Sequence, residues 1–348
     1  MKRLLAFLTT GLLIVNSIPY PQLMMKTAVL KVPDRTGTEP VSYETIAKMQ
    51  QELAAWPVLT QAGLQAHEQE KNAGTYVIPG MKSTLSMDRD GRPDTCVDMT
   101  PQGLAVTDDY IFISAYCHEK EHNSVLYMIS RDSHEFVKTI VLEGQPHAGS
   151  VCWDPVWKHL WVSTGYTNNA SASYLRIRDI EKYSFSQTGK PLPWYRTQKL
   201  TQLTRNSFMT CYDSRLYAGT FTLDEPTRRL QSFDLIPPGR MARSGTIAGS
   251  AIIGQQCQGI TFTDDYVFLT FSYGPYIPST LCAYPRTATR FLKSDAIRSW
   301  QLPPCLEQPY ALDNTLYLMW ESPARCFRNE LMTHIDRVLA LDISRMMH

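Results

Sequence analysis

A thirteen-residue stretch, Gln102-Gly-Leu-Ala-Val-Thr-Asp-Asp-Tyr-Ile-Phe-Ile-Ser114, returns later in the chain as Gln258-Gly-Ile-Thr-Phe-Thr-Asp-Asp-Tyr-Val-Phe-Leu-Thr270. Each copy is a short strand, an Asp-Asp turn and a second strand of aromatic and β-branched residues. An internal repeat of this kind restricts a chain to stacked or radially arranged units, because one unit alone cannot bury its apolar face. Weaker copies of the pattern lie between the two and after them.

The first unit reads as four strands, Gly103–Val106, Tyr110–Tyr116, Ser124–Ser130 and Lys138–Leu142. The second has Ser150–Trp153, His159–Ser163, Tyr174–Arg178 and a last strand near Thr197–Leu200. Phe208–Tyr212, Arg215–Thr220, Arg229–Leu235 and Thr246–Ile253 make the third; Gly259–Phe262, Tyr266–Tyr273, Thr280–Tyr284 and Ser299–Leu302 the fourth. The fifth, Tyr310–Leu312, Thr315–Glu321 and Val338–Ile343, is one strand short. Units of about 45 to 56 residues are blade length for a β-propeller. Open sheet edges invite pairing with other chains, so the missing strand has to come from the N-terminal side. The fold class predicted is all-β: a five-bladed propeller closed by an N-terminal strand at Thr75–Pro79, with a short helical preface. A six-bladed ring using residues 28–80 is the alternative.

The N-terminus begins Met1-Lys2-Arg3, runs through an apolar Leu4–Val15 and reaches Asn16-Ser17-Ile18-Pro19, the pattern of a secretory signal. The run is short for a bilayer span. The predicted organisation is a signal peptide over 1–17, an irregular and helical preface over 18–74, and the propeller over 75–348. Within the preface, Ala28–Val32 reads as a strand. Ser42, Ile46, Met49, Leu53 and Trp56 give helical spacing, interrupted at Pro57 and resuming towards Lys71. Ser83–Asp98 reads as a polar loop. The chain is expected outside the cytoplasm, as a monomer with no integral membrane segment after signal cleavage.

With a net charge of +1 over 348 residues, the chain shows no electrostatic footprint for nucleic acid. Apolar residues at 43% suit a packed domain rather than a disordered chain. None of the eight cysteines stands in a Cys-x-x-Cys or zinc-finger spacing. Cys96 and Cys117 are 21 apart, as are Cys305 and Cys326. Topology places both members of each pair on one face, where a bridge would stabilise by about 3 kcal/mol on the chain-entropy argument. Cross-blade pairing is the alternative. Cys152 and Cys211, within inner strands, are expected as free buried thiols; Cys257 and Cys282 stay open.

The run Met99-Thr-Pro-Gln-Gly-Leu-Ala-Val-Thr-Asp-Asp-Tyr110, with His122-Asn-Ser-Val-Leu-Tyr127 and Pro146-His147, resembles a group of secreted bacterial propeller proteins, loosely similar to quinoprotein-dehydrogenase-like and lactonase-like propellers. The resemblance covers about residues 75–348 and is strongest over 95–165. It implies the fold and an extracellular setting, and it transfers no catalytic residue.

In a propeller the lead-ins to the inner strands gather around one mouth of the central channel. Alignment on the turns puts Gln102, Gln258 and Gln308 at one level, with His147 and Asn206 beside them. Loops between second and third strands add Tyr116, His118, Tyr273 and Arg325. Amides, an imidazole and aromatics suit a small polar ligand, a glycan or a peptide, hydrogen-bonded at its edges and stacked on one side. The same amides equally serve to satisfy one another and trapped water in a polar tunnel. A glycosidase would need paired carboxylates, and Asp98 and Glu307 are the pair on offer. A lyase or lactonase would use His147 as base with Tyr116 or Tyr273, aided by Arg325. His118 and His122 can share a metal only on a helix, so neither metal nor cofactor is expected. A structural or adhesive role is the third class.

Overall fold

The computed structural model describes residues 35–63, 75–166, 168–201, 203–223, 229–242, 247–330 and 333–348. The expected signal peptide, the strand at 28–32 and most of the second helical piece lie outside them. Five sheets follow one another along the chain, each built on four antiparallel strands in up-and-down order; the third also takes in Arg240–Met241 and, in parallel, Arg290–Phe291. Their inner strands are Met99–Val106, Val151–Asp154, Phe208–Tyr212, Cys257–Phe262 and Tyr310–Leu312. Each adjoins the next, and the last adjoins the first, so the ring has five blades around one axis. The six-bladed alternative is not what the sheets form.

Blade five takes Tyr310–Leu312, Thr315–Leu318 and Arg337–Asp342 from the C-terminal end of the chain. Its outer strand is Thr75–Val77, paired antiparallel through Thr75↔Leu339, Tyr76↔Val338 and Val77↔Arg337. The backbone N–H of Ile78 extends that ladder to the Asp336 carbonyl at 2.9 Å.

The repeated Gln-Gly pair now has a mechanical reason. Both copies fall at β-bulges, between Pro101 and Leu104 and between Cys257 and Gly259. A Cβ at Gly103 would sit 2.6 Å from the Val151 nitrogen, and one at Gly259 would sit 2.3 Å from Pro309 Cδ and 2.7 Å from Gln308 Cα. Only glycine lets the neighbouring inner strand come that close.

Blade-to-blade interfaces hold the core. Phe112, Ile113, Leu126 and Leu160 fill one cluster; Cys152, Trp161, Met209 and Phe233 fill another. Phe208, Ile260, Leu269 and Phe271 pack between blades three and four. Fully burying a side chain of this size contributes about 1.5–3 kcal/mol.

The preface is packing for blades four and five. Its helix is Ile46–Leu53, starting later than the expected Ser42 because Thr45 is the cap, its hydroxyl accepting from the Lys48 N–H at 3.2 Å. Met49 and Leu53 are fully buried against Leu281, Leu318 and Leu339, together with Leu59 and Ala62 of the short turn Leu59–Gly63 beyond Pro57. Asp336 fixes the approach. One carboxylate oxygen accepts the backbone N–H groups of Val41, Ser42 and Tyr43, at 2.7, 2.5 and 3.1 Å.

Two features depart from the sequence reading. Residues 83–98 are not a loop: Thr84–Met87 and Pro93–Cys96 form a hairpin at the edge of blade one. The polar tip Asp88–Arg92 masked it, although the Asp88 carboxylate closes that turn on the Arg92 N–H at 2.7 Å. In blade two, helices Ile177–Lys182 and Phe185–Thr188 intervene before the outer strand Arg196–Lys199. The Lys138 ammonium donates to the carbonyls of Ile180, Glu181 and Tyr183, supplying the cation that a helix C-terminus favours.

Candidate functional site

The channel has two mouths. The near mouth is where inner strands begin and the loops between second and third strands return; the far mouth carries the Asp-containing turns. Gln308 lies between them, fully buried, and ties four blades together. Its carbonyl accepts from the Leu104 N–H, the Val151 N–H and the Ser150 hydroxyl, at 3.1, 3.0 and 2.8 Å. Its amide donates to the Val151 and Met209 carbonyls at 2.7 and 3.0 Å. Every hydrogen-bonding position of the side chain is thus filled by protein, which leaves none for a ligand.

The chemistry of the near mouth gathers at blades five and one. Leu306 and Trp320 form a bridge beyond the first two strands of blade five. On the opposite side of that ladder, Glu307 and Glu321 are diagonal neighbours, a distance long side chains span. Their carboxyl groups hydrogen-bond each other, and Gln102 donates to Glu321 at 2.8 Å. Two carboxyl groups in contact cannot both be ionised, so they share a proton. Burial, then the neighbouring Glu321 charge, holds Glu307 far above the carboxylate range; burial also raises Glu321. Glu307 is therefore the protonated partner.

Tyr116 stands next to the pair. Burial, then the charges of Glu321, Cys326 and Glu307, raise its phenol, which remains protonated. The His147 ring lies 4.2 Å from the Tyr116 ring. His147 is exposed at the mouth yet surrounded by protein on most sides. That partial desolvation, then the nearby Lys120, His118 and Arg205, holds its pKa down at about 4, so the imidazole is neutral at pH 7. The loops between second and third strands carry exposed aromatics: Tyr166 in blade two at 64%, and Tyr273 and Tyr276 in blade four at 44% and 75%.

The sequence-derived residues scatter across these roles. Gln102, Tyr116 and His147 meet at one side of the mouth. His118 is exposed within 3.5 Å of the Tyr116 hydroxyl. Tyr273 sits across the opening, 6.3 Å from the Phe221 ring. Gln258 is half-buried on its bulge, donating to the Ser272 carbonyl at 3.4 Å. Asn206 is buried and donates to the Ser171 carbonyl at 3.1 Å. Arg325 pairs with Asp98 at 3.5 Å, so neither is free for the roles expected of them. The acid pair is corrected accordingly: the partner of Glu307 is Glu321, not Asp98. The sequence reading makes Glu321 the last residue of the strand Thr315–Glu321 and gives it no role; the regular strand ends at Leu318, and the bridge Leu306↔Trp320 sets Glu321 diagonal to Glu307.

His118 and His122 do not face a common point, since the loop is a turn. His122 turns instead to Cys117, with Nδ1 3.7 Å from Sγ. Cys152 and Cys211, expected as free buried thiols, are both unbridged, Cys152 buried and Cys211 half-buried, and face each other between blades two and three. All eight cysteines are unbridged, including Cys305 and Cys326.

The far mouth holds a cavity of about 710 Å³ lined by Asp108, Asp213, Asp264, Asp265, Asp313 and Trp153. Its carboxylates come from the repeated turns.

No family model matches the chain, and no curated protein matches it. Among solved structures it is similar to a chain of a nidogen/laminin complex, with a TM-score of 0.38 and 11% identity over 71% of this chain and 86% of that one. It is similar to the hydrazine synthase of Kuenenia stuttgartiensis at 0.34 and 11%, over 78% and 91%. The WD40 repeats of RRP9 give 0.39 and 9%, over 74% and 78%. At such scores the five-bladed assignment rests on the strand pairing itself.

Proposed function

We propose that this protein is a secreted propeller that binds a small polar ligand at its near mouth, with a glycan as the ligand that fits best. The observation that carries the reading is the rim of exposed tyrosines, Tyr166, Tyr273 and Tyr276, around a floor of hydrogen-bonding groups. Sugar rings offer an apolar C–H face for stacking and hydroxyls at the edge for a carboxylate, an amide or a neutral imidazole. Glu321, Gln102 and His147 supply those edge partners. The apolar run at Leu4–Val15 supports an extracellular setting, and the likeness to quinoprotein-dehydrogenase-like and lactonase-like propellers brings no catalytic residue with it.

A second reading is favoured by one specific observation, the carboxyl groups of Glu307 and Glu321 set against each other beside Gln102. A pair of this kind holds an acid and a base side by side near neutral pH, which suits a hydrolase or lyase acting on the same ligand. In that reading Glu321 takes or gives the proton and Tyr116 polarises the reacting oxygen.

A glycan array on the protein, followed by calorimetry on the best hit, tests both. Tyr273→Ala and Tyr276→Ala should each weaken binding about tenfold, the worth of one lost stacking partner. Unchanged affinity in both variants removes the near mouth as the site. Turnover of the bound glycan that disappears in Glu321→Gln, with binding retained, decides for the enzyme; no turnover by the wild type decides for binding.

A further inference from the structure

Outside the near-mouth acids, one cluster among the described residues brings soft metal ligands together. Cys96 ends the hairpin Thr84–Cys96, Cys117 ends the second strand of blade one, and His122 lies in the loop that follows. Cys96 Sγ, Cys117 Sγ and a His122 ring nitrogen all lie within 4.8 Å of one another. We propose that Cys96, Cys117 and His122 bind a zinc ion, with solvent as the fourth ligand.

The geometry suits such an ion. Tetrahedral zinc with sulfur at about 2.3 Å and nitrogen at about 2.0 Å places a sulfur about 3.5 Å from a nitrogen. Cys117 Sγ and His122 Nδ1 are 3.7 Å apart. The other ring nitrogen, Nε2, meets the Asp94 carboxylate at 3.1 Å. A carboxylate on the far nitrogen fixes the tautomer that turns the Nδ1 lone pair towards the sulfurs, the usual outer support of a zinc-bound histidine. Backbone N–H groups point at the sulfurs: Asp98 at Cys96, 3.4 Å away, and Glu121 and His122 at Cys117. Both cysteines are buried, while the His122 side chain keeps 14% of its surface exposed, leaving a path for an ion.

A disulfide between Cys96 and Cys117 is the competing state of the same sulfurs. It would leave the Asp94-held histidine directed at a group with no use for its lone pair. The sequence spacing hid the site because two ligands come from separate elements, the edge hairpin and the blade, which only the fold brings together. In the folded protein the ion would staple that hairpin to blade one beside the candidate ligand site.

The test is metal uptake by the full chain, stripped with chelator and reductant and kept anaerobic. Competition with a chromophoric chelator should show one zinc per chain. Cobalt substitution should give thiolate-to-metal charge transfer with tetrahedral visible bands. Cys117→Ser and His122→Ala should each lower affinity more than about 100-fold, and Asp94→Asn about 10- to 100-fold. Cys152→Ser, distant in the ring, should bind as the wild type does. Asp94 is largely exposed, so its variant should fold and keeps the test informative if a ligand variant does not. Absence of stoichiometric uptake, uptake indifferent to His122 and Asp94, or a Cys96–Cys117 disulfide in protein isolated anaerobically would each overturn the proposal.

Discussion

Replacing Gln308 by Met tests whether the channel is plugged by a structural amide. Methionine keeps the length and most of the volume but neither donates nor accepts usefully. Ser150 keeps partners without the amide, since its one hydroxyl proton can turn to the Met209 carbonyl at 2.9 Å while it still accepts the Met209 N–H at 2.8 Å. The N–H groups of Leu104 and Val151 lose the Gln308 oxygen and face a thioether instead. A buried donor left without its acceptor costs about 1–3 kcal/mol, so two cost about 4 kcal/mol in all. That is a large share of the roughly 5–15 kcal/mol by which folded domains are stable. Urea unfolding followed by tryptophan fluorescence reads the loss. With a slope of about 3 kcal/mol per molar or more, the midpoint should fall by about 1 M. Gln258→Met is the internal contrast, because that amide is half-buried and makes one long bond of 3.4 Å. A Gln308→Met midpoint within about 0.3 M of the wild type, or equal to that of Gln258→Met, would refute the plug.

Other outcomes follow from the same contacts. Glu321 is raised from 4.5 to about 7, chiefly by burial, so its folded form holds a proton that its unfolded form gives up. Its contribution is full below about pH 4.5 and lost as pH rises through 7, by about 3 kcal/mol; Glu321→Gln should flatten that fall, and an identical stability difference between pH 5 and pH 8 in both proteins would contradict the shared proton. Asp336→Ala deprives three backbone N–H groups of their acceptor and should cost about 3 kcal/mol while exposing residues 35–63 to limited proteolysis; an unchanged cleavage pattern would show the arm is held otherwise. Removal through residue 74 uncovers the apolar surface on which Met49 and Leu53 lie but leaves the ring closed, whereas removal through residue 80 also takes the outer strand of blade five and should aggregate distinctly more on refolding; equal behaviour of the two would separate that strand from ring stability.

What the sequence made legible, and what it hid, divides along the line between local and non-local causes. The Thr-Asp-Asp-Tyr turns and alternating strands are local: side-chain period and turn chemistry act over a few residues, and repetition multiplied the signal until the blade count could be read. The Gln-Gly pair was visible as a repeat but not as a bulge, because its cause lies in the next blade, where Val151 and Pro309 press on the glycines. The hairpin at 84–96 was hidden by its own charged tip, since composition averages a turn and its flanking strands into one polar stretch. The site residues depend on the non-local part almost wholly. Glu321 and Glu307 meet because the bridge Leu306↔Trp320, beyond the last regular pair Tyr310↔Tyr317, places them on one face, and Arg325 crosses from blade five to pair with Asp98 of blade one. The alignment that put three glutamines at one level says nothing of how far each reaches: one spans the axis, one crosses to a carboxylate, and one stays with its own blade. Repeats therefore announce the scaffold, and the places where equivalent positions stop behaving equivalently mark the site. In this ring those places fall at the seam between blades five and one, where the carboxyl pair, Gln102 and Tyr116 meet, and that seam is where substitutions should separate binding from stability.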